Sequence, residues 1–222
     1  PIQIPIGSEA EFSGIVDLVT FELLHFSGDD HDVVERLPVP EELQPTMRQR
    51  QEALLERLAD ESDAVAALYL DGKPVSPELL RATLRELTLA GRIVPVLTGT
   101  AKKRIGIQPL LSAVVAYLPS PADGPDIPAH RVKHNDLVTL HPDPDAPCAG
   151  LIFKVVADAS ADLLYFRTYS GTLRAGATLC NSRTREKVRA KQVLRLFARN
   201  TQPVDAVGPG DMMPDNRHFG VV

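Results

Sequence analysis

Residues 92–121 read RIVPVLTGTAKKRIGIQPLLSAVVAYLPSP, and this stretch decides how the rest of the chain is read. It opens on a short apolar, β-branched run, Ile93 to Leu97, which predicts a buried strand. Thr98-Gly99-Thr100-Ala101 breaks that strand with small residues. A helix is predicted from Ile107 to Leu118, with Leu110, Leu111, Val114, Val115 and Leu118 at helical spacing, and Pro119 and Pro121 stop it. A buried strand, a small-residue loop and an amphipathic helix together describe the edge of an α/β domain. Ligands commonly sit at such strand ends.

Upstream, short strands are predicted over 1–6, 12–19 and 21–26, with a fourth over 31–37. Helices follow over 44–58, with Pro45 in the first turn, and over 64–70, closed by Asp71-Gly72. Ser76-Pro77 reads as an N-cap followed by Pro at the first helical position, launching a helix to about Ala90. The Pro/Gly-rich segment 119–125 is read as a domain boundary, which divides the chain into residues 1–121 and 122–222. Beyond it, 148–157, 163–169, 177–180 and 187–198 read as strands. Turns are expected at Ala159-Ser160, Ser170-Gly171 and Ala175-Gly176. Closely spaced strands without helical periodicity predict a small antiparallel barrel or sandwich. The fold class is therefore multidomain, α/β followed by all-β. In the tail, Pro214 and its polar neighbours are expected to break the last strand.

The composition is that of an ordinary globular chain, 44% hydrophobic and 24% charged. No apolar run is long enough to span a bilayer as a helix, and no signal peptide is recognisable. The chain starts at Pro1 rather than Met, so a piece of a longer protein or a processed chain is expected. Cys148 and Cys180 form no ligand pattern and suggest a reducing compartment. His130, His134 and His141 lack the regular spacing of a metal site, so no metal is expected. The net charge of −5 is unevenly spread. Residues 1–120 carry 11 Lys+Arg against 18 Asp+Glu, and residues 121–222 carry 13 against 11. An acidic half and a locally basic half suggest different partners.

Two charged constellations stand out. Glu56, Asp60 and Asp63 are spaced to share a helical face, provided the helix continues that far. Arg183, Arg185, Lys187, Arg189, Lys191, Arg195 and Arg199 fall at odd numbers, which puts them on one side of an extended strand. Such a ribbon suits contact with a phosphate backbone. For both groups the alternative is a solvated surface.

Several collinear stretches resemble elongation factor G, a family of translational GTPases. They are PIQIPIG (1–7) with FSGIVDLV (12–19), Tyr117-Leu118-Pro119-Ser120-Pro121, Phe153-Lys154, and Tyr169-Ser170-Gly171-Thr172-Leu173. The resemblance implies the end of a P-loop GTPase domain with its α+β insert, then the translation-factor β-barrel. It also implies that Gly99-Thr100-Ala101, with Lys102 beside it, stands where the family's guanine-contacting Gly-Ser-Ala loop stands. GTP or GDP with magnesium is implied for the intact parent, a ribosomal translocase of the elongation step. The acidic face at Glu56, Asp60 and Asp63 matches the one that docks the ribosomal stalk protein. The basic strand, including Arg183, Arg185, Lys187 and Arg189, falls in the domain that leans on small-subunit ribosomal RNA. A cytoplasmic monomer is implied, with neither membrane nor DNA as partner. The chain contains no G-x-x-x-x-G-K-[ST] loop and no Asn-Lys-x-Asp motif. It is therefore expected to bind no nucleotide by itself, to contribute no catalytic residue and to be inactive alone. The rival readings are a ribosome-protection protein or paralogue of the same superfamily, and a free-standing RNA- or ribosome-binding module.

Overall fold

The computed structural model describes residues 1–131, 136–156, 163–197 and 200–216. It divides into two compact units, Pro1–Leu118 and Pro119–Val222.

The first unit opens with an antiparallel meander of β1 (Gln3–Ile6), β2 (Gly14–Asp17), β3 (Glu22–Ser27) and β4 (Val33–Pro38), in that order across the sheet. Asp17 ends β2 chemically. Its Oδ1 accepts the N–H groups of Val19 at 2.8 Å and Thr20 at 3.1 Å, an Asx-turn that reverses the chain into β3. Across β3 and β4, Arg36 donates to Glu22 at 2.6 Å and holds that carboxyl below the usual carboxylate range. Ile15, Leu24 and Phe26 are buried with Ile105 as one small core.

Four helices follow: α1 (Gln44–Ala59), α2 (Asp63–Leu70), α3 (Pro77–Leu89) and α4 (Ile107–Tyr117). Each lies close to its predicted span. The Ser76 hydroxyl accepts the Leu79 N–H at 3.3 Å, and Pro77 takes the first turn, as the sequence predicts. At the other end Gly91, with φ +69°, allows a complete Schellman closure. Its N–H bonds to Thr88 O and that of Arg92 to Leu87 O. Gly72 closes α2 in the same way. Leu80, Leu84 and Leu87 on α3 are buried against Leu58, Val65, Ile2, Val19 and Tyr117.

The predicted strand at 93–97 does not form. These residues belong to no strand or sheet, and Val94 and Val96 are 83% and 51% exposed. Ile2 donates to Val96 O at 3.0 Å. Pro95 has no N–H to offer a ladder, and no parallel strand lies beside the run among the described residues. The same holds for the predicted core stripe of α4. Leu110, Leu111, Val114, Val115 and Leu118 are all exposed, and Ala113 and Tyr117 carry the buried face instead.

In the second unit all strand pairs are antiparallel. β5 (Ile127–His130) pairs β6 (Leu137–Leu140). A five-stranded sheet has the order β13-β12-β15-β8-β7, comprising β7 (Ala149–Val156), β8 (Leu163–Ser170), β12 (Val193–Phe197), β13 (Asn200–Val204) and β15 (Met212–Asn216). Two small ribbons complete it, β9 (Leu173–Arg174) with β14 (Ala206–Val207) and β10 (Thr178–Cys180) with β11 (Lys187–Arg189). Phe166, Leu173, Ala190, Val193 and Val207 form its core. An α+β unit followed by an antiparallel barrel-type unit is the architecture that the sequence predicts.

Two details differ. The predicted strand 187–198 is split: buried Ala190 ends β11, and β12 starts at Val193 in another sheet. The tail does form a strand, with Pro214 opposite Tyr165. Among the described residues β15 meets β12 at the register pair Val193↔Asp215. Gly210 turns the chain into β15 at φ +88°, where a Cβ would lie 2.2 Å from Pro121 Cγ. The turn expected at Ala159-Ser160 lies outside the described residues, as do His134 and Arg199. His141 Nδ1 sits 2.6 Å from Asp126 Oδ1. Among the described residues no three His, Cys, Asp or Glu side chains gather as a metal site. Cys148 is half-buried, which pushes its thiol pKa up, and Cys180 is exposed.

Replacing Ser76 by Ala removes the cap of α3 and is expected to cost about 1 kcal/mol, read as a lowered urea midpoint at unchanged slope.

Candidate functional site

The loop Gly99–Lys102 is held from three sides. The Gln3 side chain is only 4% exposed, and its Oε1 accepts the Thr98 N–H at 3.2 Å, anchoring the loop's entry to β1. Thr100 N–H donates to Ile105 O at 2.9 Å, and Arg104 N–H to Ala101 O at 3.3 Å, so 100–105 closes as a tight turn. Beyond the turn, Gln108 Nε2 donates to His31 O and Asp32 O at 3.1 and 3.2 Å, and Arg104 pairs with Asp30 at 2.5 Å. Lys103 Nζ reaches Ala10 O. The exposed Arg104–Asp30 pair adds little stability and serves mainly to orient the turn.

This geometry sorts the predicted loop residues. Thr100 N–H is engaged by Ile105. No partner is found among the described residues for the N–H groups of Ala101 or Lys102, and both residues are exposed. They are the loop's available amide donors. Gly99 has close quarters behind it, since a Cβ would come 3.0 Å from Ile105 O. Gly106 is more constrained: φ is +87° and a Cβ would meet Thr98 O at 2.8 Å. Gln3, Lys103, Arg104 and Gln108 are not legible in the sequence as loop supports. Their partners lie 77 or more residues away for Gln108 to His31, Lys103 to Ala10 and Gln3 to Thr98, so no local pattern announces them.

The acidic trio does not share one helical face. α1 stops at Ala59, Asp60 is its C-cap and Asp63 begins α2. Glu56, Asp60 and Asp63 are nonetheless all exposed around that corner. Arg57 lies 3.5 Å from Asp60 and 3.3 Å from Glu61, and Arg92 also pairs with Glu61. Glu61, whose side chain is 12% exposed, is the structural carboxylate here, tying the α1–α2 corner to the end of α3. The acidic surface is thus bent rather than linear, with Asp60 partly neutralised.

The basic group divides as well. Lys187 and Arg189 alternate with half-buried Val188 on β11, as predicted, and face outward. Arg183 and Arg185 occupy the turn of the β10–β11 hairpin rather than a strand. Asn181, 1% exposed, builds that turn: its Oδ1 accepts the N–H groups of Arg183 at 2.9 Å and Thr184 at 3.2 Å. Asn181-Ser182 carries a turn signal in the sequence, which the run of charges obscures. Arg189 Nε donates to Gly176 O at 3.2 Å. Lys191 lies between strands and Arg195 in β12, both exposed. Arg183, Arg185, Lys187 and Arg189 therefore form one basic hairpin, with Glu186 the single acid among them.

Residues 147–214 match the family model described as elongation factor G domain 2. Over 213 residues, 96% of the chain, it is 39% identical to elongation factor G of Thermotoga petrophila. Over the same length it is 43% identical to elongation factor G 2 of Geobacter metallireducens. In each case the chain spans 31% of the relative's length. A crystal structure of a Thermus thermophilus protein superposes with a TM-score of 0.74 over the whole chain and 31% of that protein, at 21% identity, and shares its fold. Residues 147–214 thus match elongation factor G domain 2, and the chain is similar to elongation factor G along nearly its whole length.

Gly106→Ala forces a Cβ against Thr98 O at an unfavourable φ, so it is expected to destabilise the first unit by about 1 kcal/mol or more, on the order of other strained left-handed positions. Thermal melting monitored by circular dichroism measures it.

Proposed function

We propose that this chain serves within a ribosomal translocase, a GTPase of the elongation factor G type acting in the elongation step of protein synthesis. The observation that carries the reading is collinear similarity to elongation factor G along nearly the whole chain, embracing both units and the loop at Gly99–Lys102. In this reading residues 1–121 are the end of the GTPase domain with its insert, and residues 122–222 are the second, β-barrel domain.

The loop's part is to hold the base. Small side chains at Gly99, Thr100 and Ala101 let the backbone approach a flat ring, and the amides of Ala101 and Lys102 are donors suited to the guanine carbonyl oxygen. Bound GTP supplies the phosphoanhydride whose cleavage drives the cycle. Magnesium and phosphates need a phosphate-cradling loop, which this chain's own sequence does not contain. Its residues orient the base and leave phosphoryl transfer to other parts of the GTPase.

The two charged surfaces are proposed as ribosome contacts. The acidic corner at Glu56, Asp60 and Asp63 suits the stalk protein, and the hairpin carrying Arg183, Arg185, Lys187 and Arg189 suits small-subunit ribosomal RNA. The hairpin's contacts are to phosphate, which position the domain without reading sequence. A second reading, a paralogue with another role on the ribosome, is favoured by the Geobacter metallireducens relative, which is named elongation factor G 2.

Replacing Arg185, Lys187 and Arg189 by Ala is expected to weaken binding to small ribosomal subunits and to lower the salt slope by about one unit per lost phosphate contact. Filter binding across a salt series reads the slope. An unchanged slope returns these residues to a solvated surface. Charge reversal at Glu56, Asp60 and Asp63 is expected to weaken binding of the purified stalk protein at least several-fold, and an unaltered titration removes that assignment.

A further inference from the structure

The outer face of β7 and β8 combines rings and cations in a way the reading above does not use. Along β8, Leu164, Phe166, Thr168 and Ser170 point inward and are buried, which leaves Tyr165, Arg167 and Tyr169 on the opposite side. The ladder with β7 is irregular between Ile152 and Lys154. The bulge interrupts the alternation, and Phe153, Lys154 and Val155 are exposed in succession. Phe153 meets Tyr165 edge-on, with ring centroids 6.2 Å apart and planes at 62°. Lys154 Nζ sits 5.4 Å from the centre of the Tyr165 ring, and the Arg167 guanidinium 5.4 Å from that of Tyr169. Phe153 remains 48% exposed.

Neither strand contains an acidic residue; Lys154 and Arg167 are their only charges. The face is positive, aromatic and open, and on either side of Arg167 lie the exposed apolar side chains of Leu151 and Met212. Protein–protein interface cores favour aromatic residues and arginine but deplete lysine. Here the cations lie among the rings. Rings on a sheet surface with cations between them are what unpaired nucleotides require, because bases stack on the rings while phosphates meet the charges.

We infer that this face is a second RNA contact, one that stacks unpaired bases on Phe153, Tyr165 and Tyr169 and holds their phosphates with Lys154 and Arg167. It rests on the reading that the second unit faces RNA, and it differs from the basic hairpin in chemistry. The hairpin grips phosphate in any helix, whereas the aromatic face needs bases that are free to leave a duplex.

The test uses the full 222-residue chain, a short fluorescein-labelled oligoadenylate, and an RNA duplex of equal length. The chain has no Trp and four Tyr, so tyrosine emission is directly readable, and two of the four lie on this face. The single strand is expected to bind more tightly than the duplex and to quench tyrosine emission. The double variant Phe153→Leu, Tyr165→Leu keeps apolar bulk and is expected to lose single-strand affinity by about 10-fold or more, with little change for the duplex. Lys187→Ala with Arg189→Ala is expected to weaken both RNAs alike. If the ring variant loses single-strand binding and the hairpin variant loses nothing, the aromatic contact stands and the hairpin reading falls. Absence of quenching in the unmodified chain, which needs no variant to fold, overturns the inference. So does a ring variant that binds the single strand as before, or a face that responds only to a protein partner.

Discussion

The first unit depends on burying one edge of α3. Leu80, Leu84 and Leu87 sit one turn apart and are almost wholly inaccessible, and each contributes about 2 kcal/mol on transfer from water. What matters is where their partners come from. Ile2 and Val19 belong to the meander, Leu58 and Val65 to the preceding helices, and Tyr117 to the last turn of α4. One core therefore collects the start and end of a unit of well over a hundred residues. The chain between them is arranged by what that core admits. The Ser76 cap and the Gly91 closure fix how much of α3 is helical, and so which leucines reach the core.

The loop at Gly99–Lys102 follows from this closure. Once Ile2 and Tyr117 share a core, β1 lies alongside residues 96–98, and Gln3 and Ile2 bond to that segment. A buried glutamine is costly unless its polar atoms are engaged, so the Gln3–Thr98 bond is favoured strongly. The loop is then tied by Gln108 and Arg104 to the β3–β4 turn. It is a tight turn with two amides unclaimed among the described residues, tied to distant segments at Gln3, Ala10 and residues 30–32. On the other side, Val94 and Val96, with Leu110, Leu111, Val114 and Val115 of α4 and Leu118 at its end, stay in solvent, while Ile93 and Leu97 pack partly against the core. A short apolar run and an apolar helix stripe are normally satisfied by a sheet on which both can lie, and no such sheet is present among the described residues.

The second unit shows how a small antiparallel fold separates two chemistries. Alternation gives every strand an inner and an outer row, and local irregularities decide what the outer row displays. At the β10–β11 hairpin the irregularity is the turn built by buried Asn181, which gathers charge at the tip. On β7 it is the bulge at Phe153, which brings a ring and an ammonium group to the same side. Both use residues that a uniform strand would divide between core and solvent.

Much of this was legible because it is local. Helix limits are written in Ser76-Pro77, Asp71-Gly72 and Gly91, since capping and φ-permissive residues act within a single turn of chain. The meander, the first barrel strands and the division into a mixed unit and a β unit follow from periodicity and from Pro/Gly punctuation. The Gly99–Lys102 loop was visible as a composition. Tertiary structure alone decided what depends on partners distant in sequence. Apolar residues at 93–97 and along α4 predict burial, yet burial requires another surface, and the described chain gives that place to Ala113 and Tyr117. Glu56, Asp60 and Asp63 have helical spacing, but α1 ends before the spacing can act. Pro214 argues against a central strand in general, yet β15 pairs with β8 with Pro214 opposite Tyr165. A sequence fixes which groups want water, a turn or a cap; only the assembled chain determines which neighbours arrive to satisfy them.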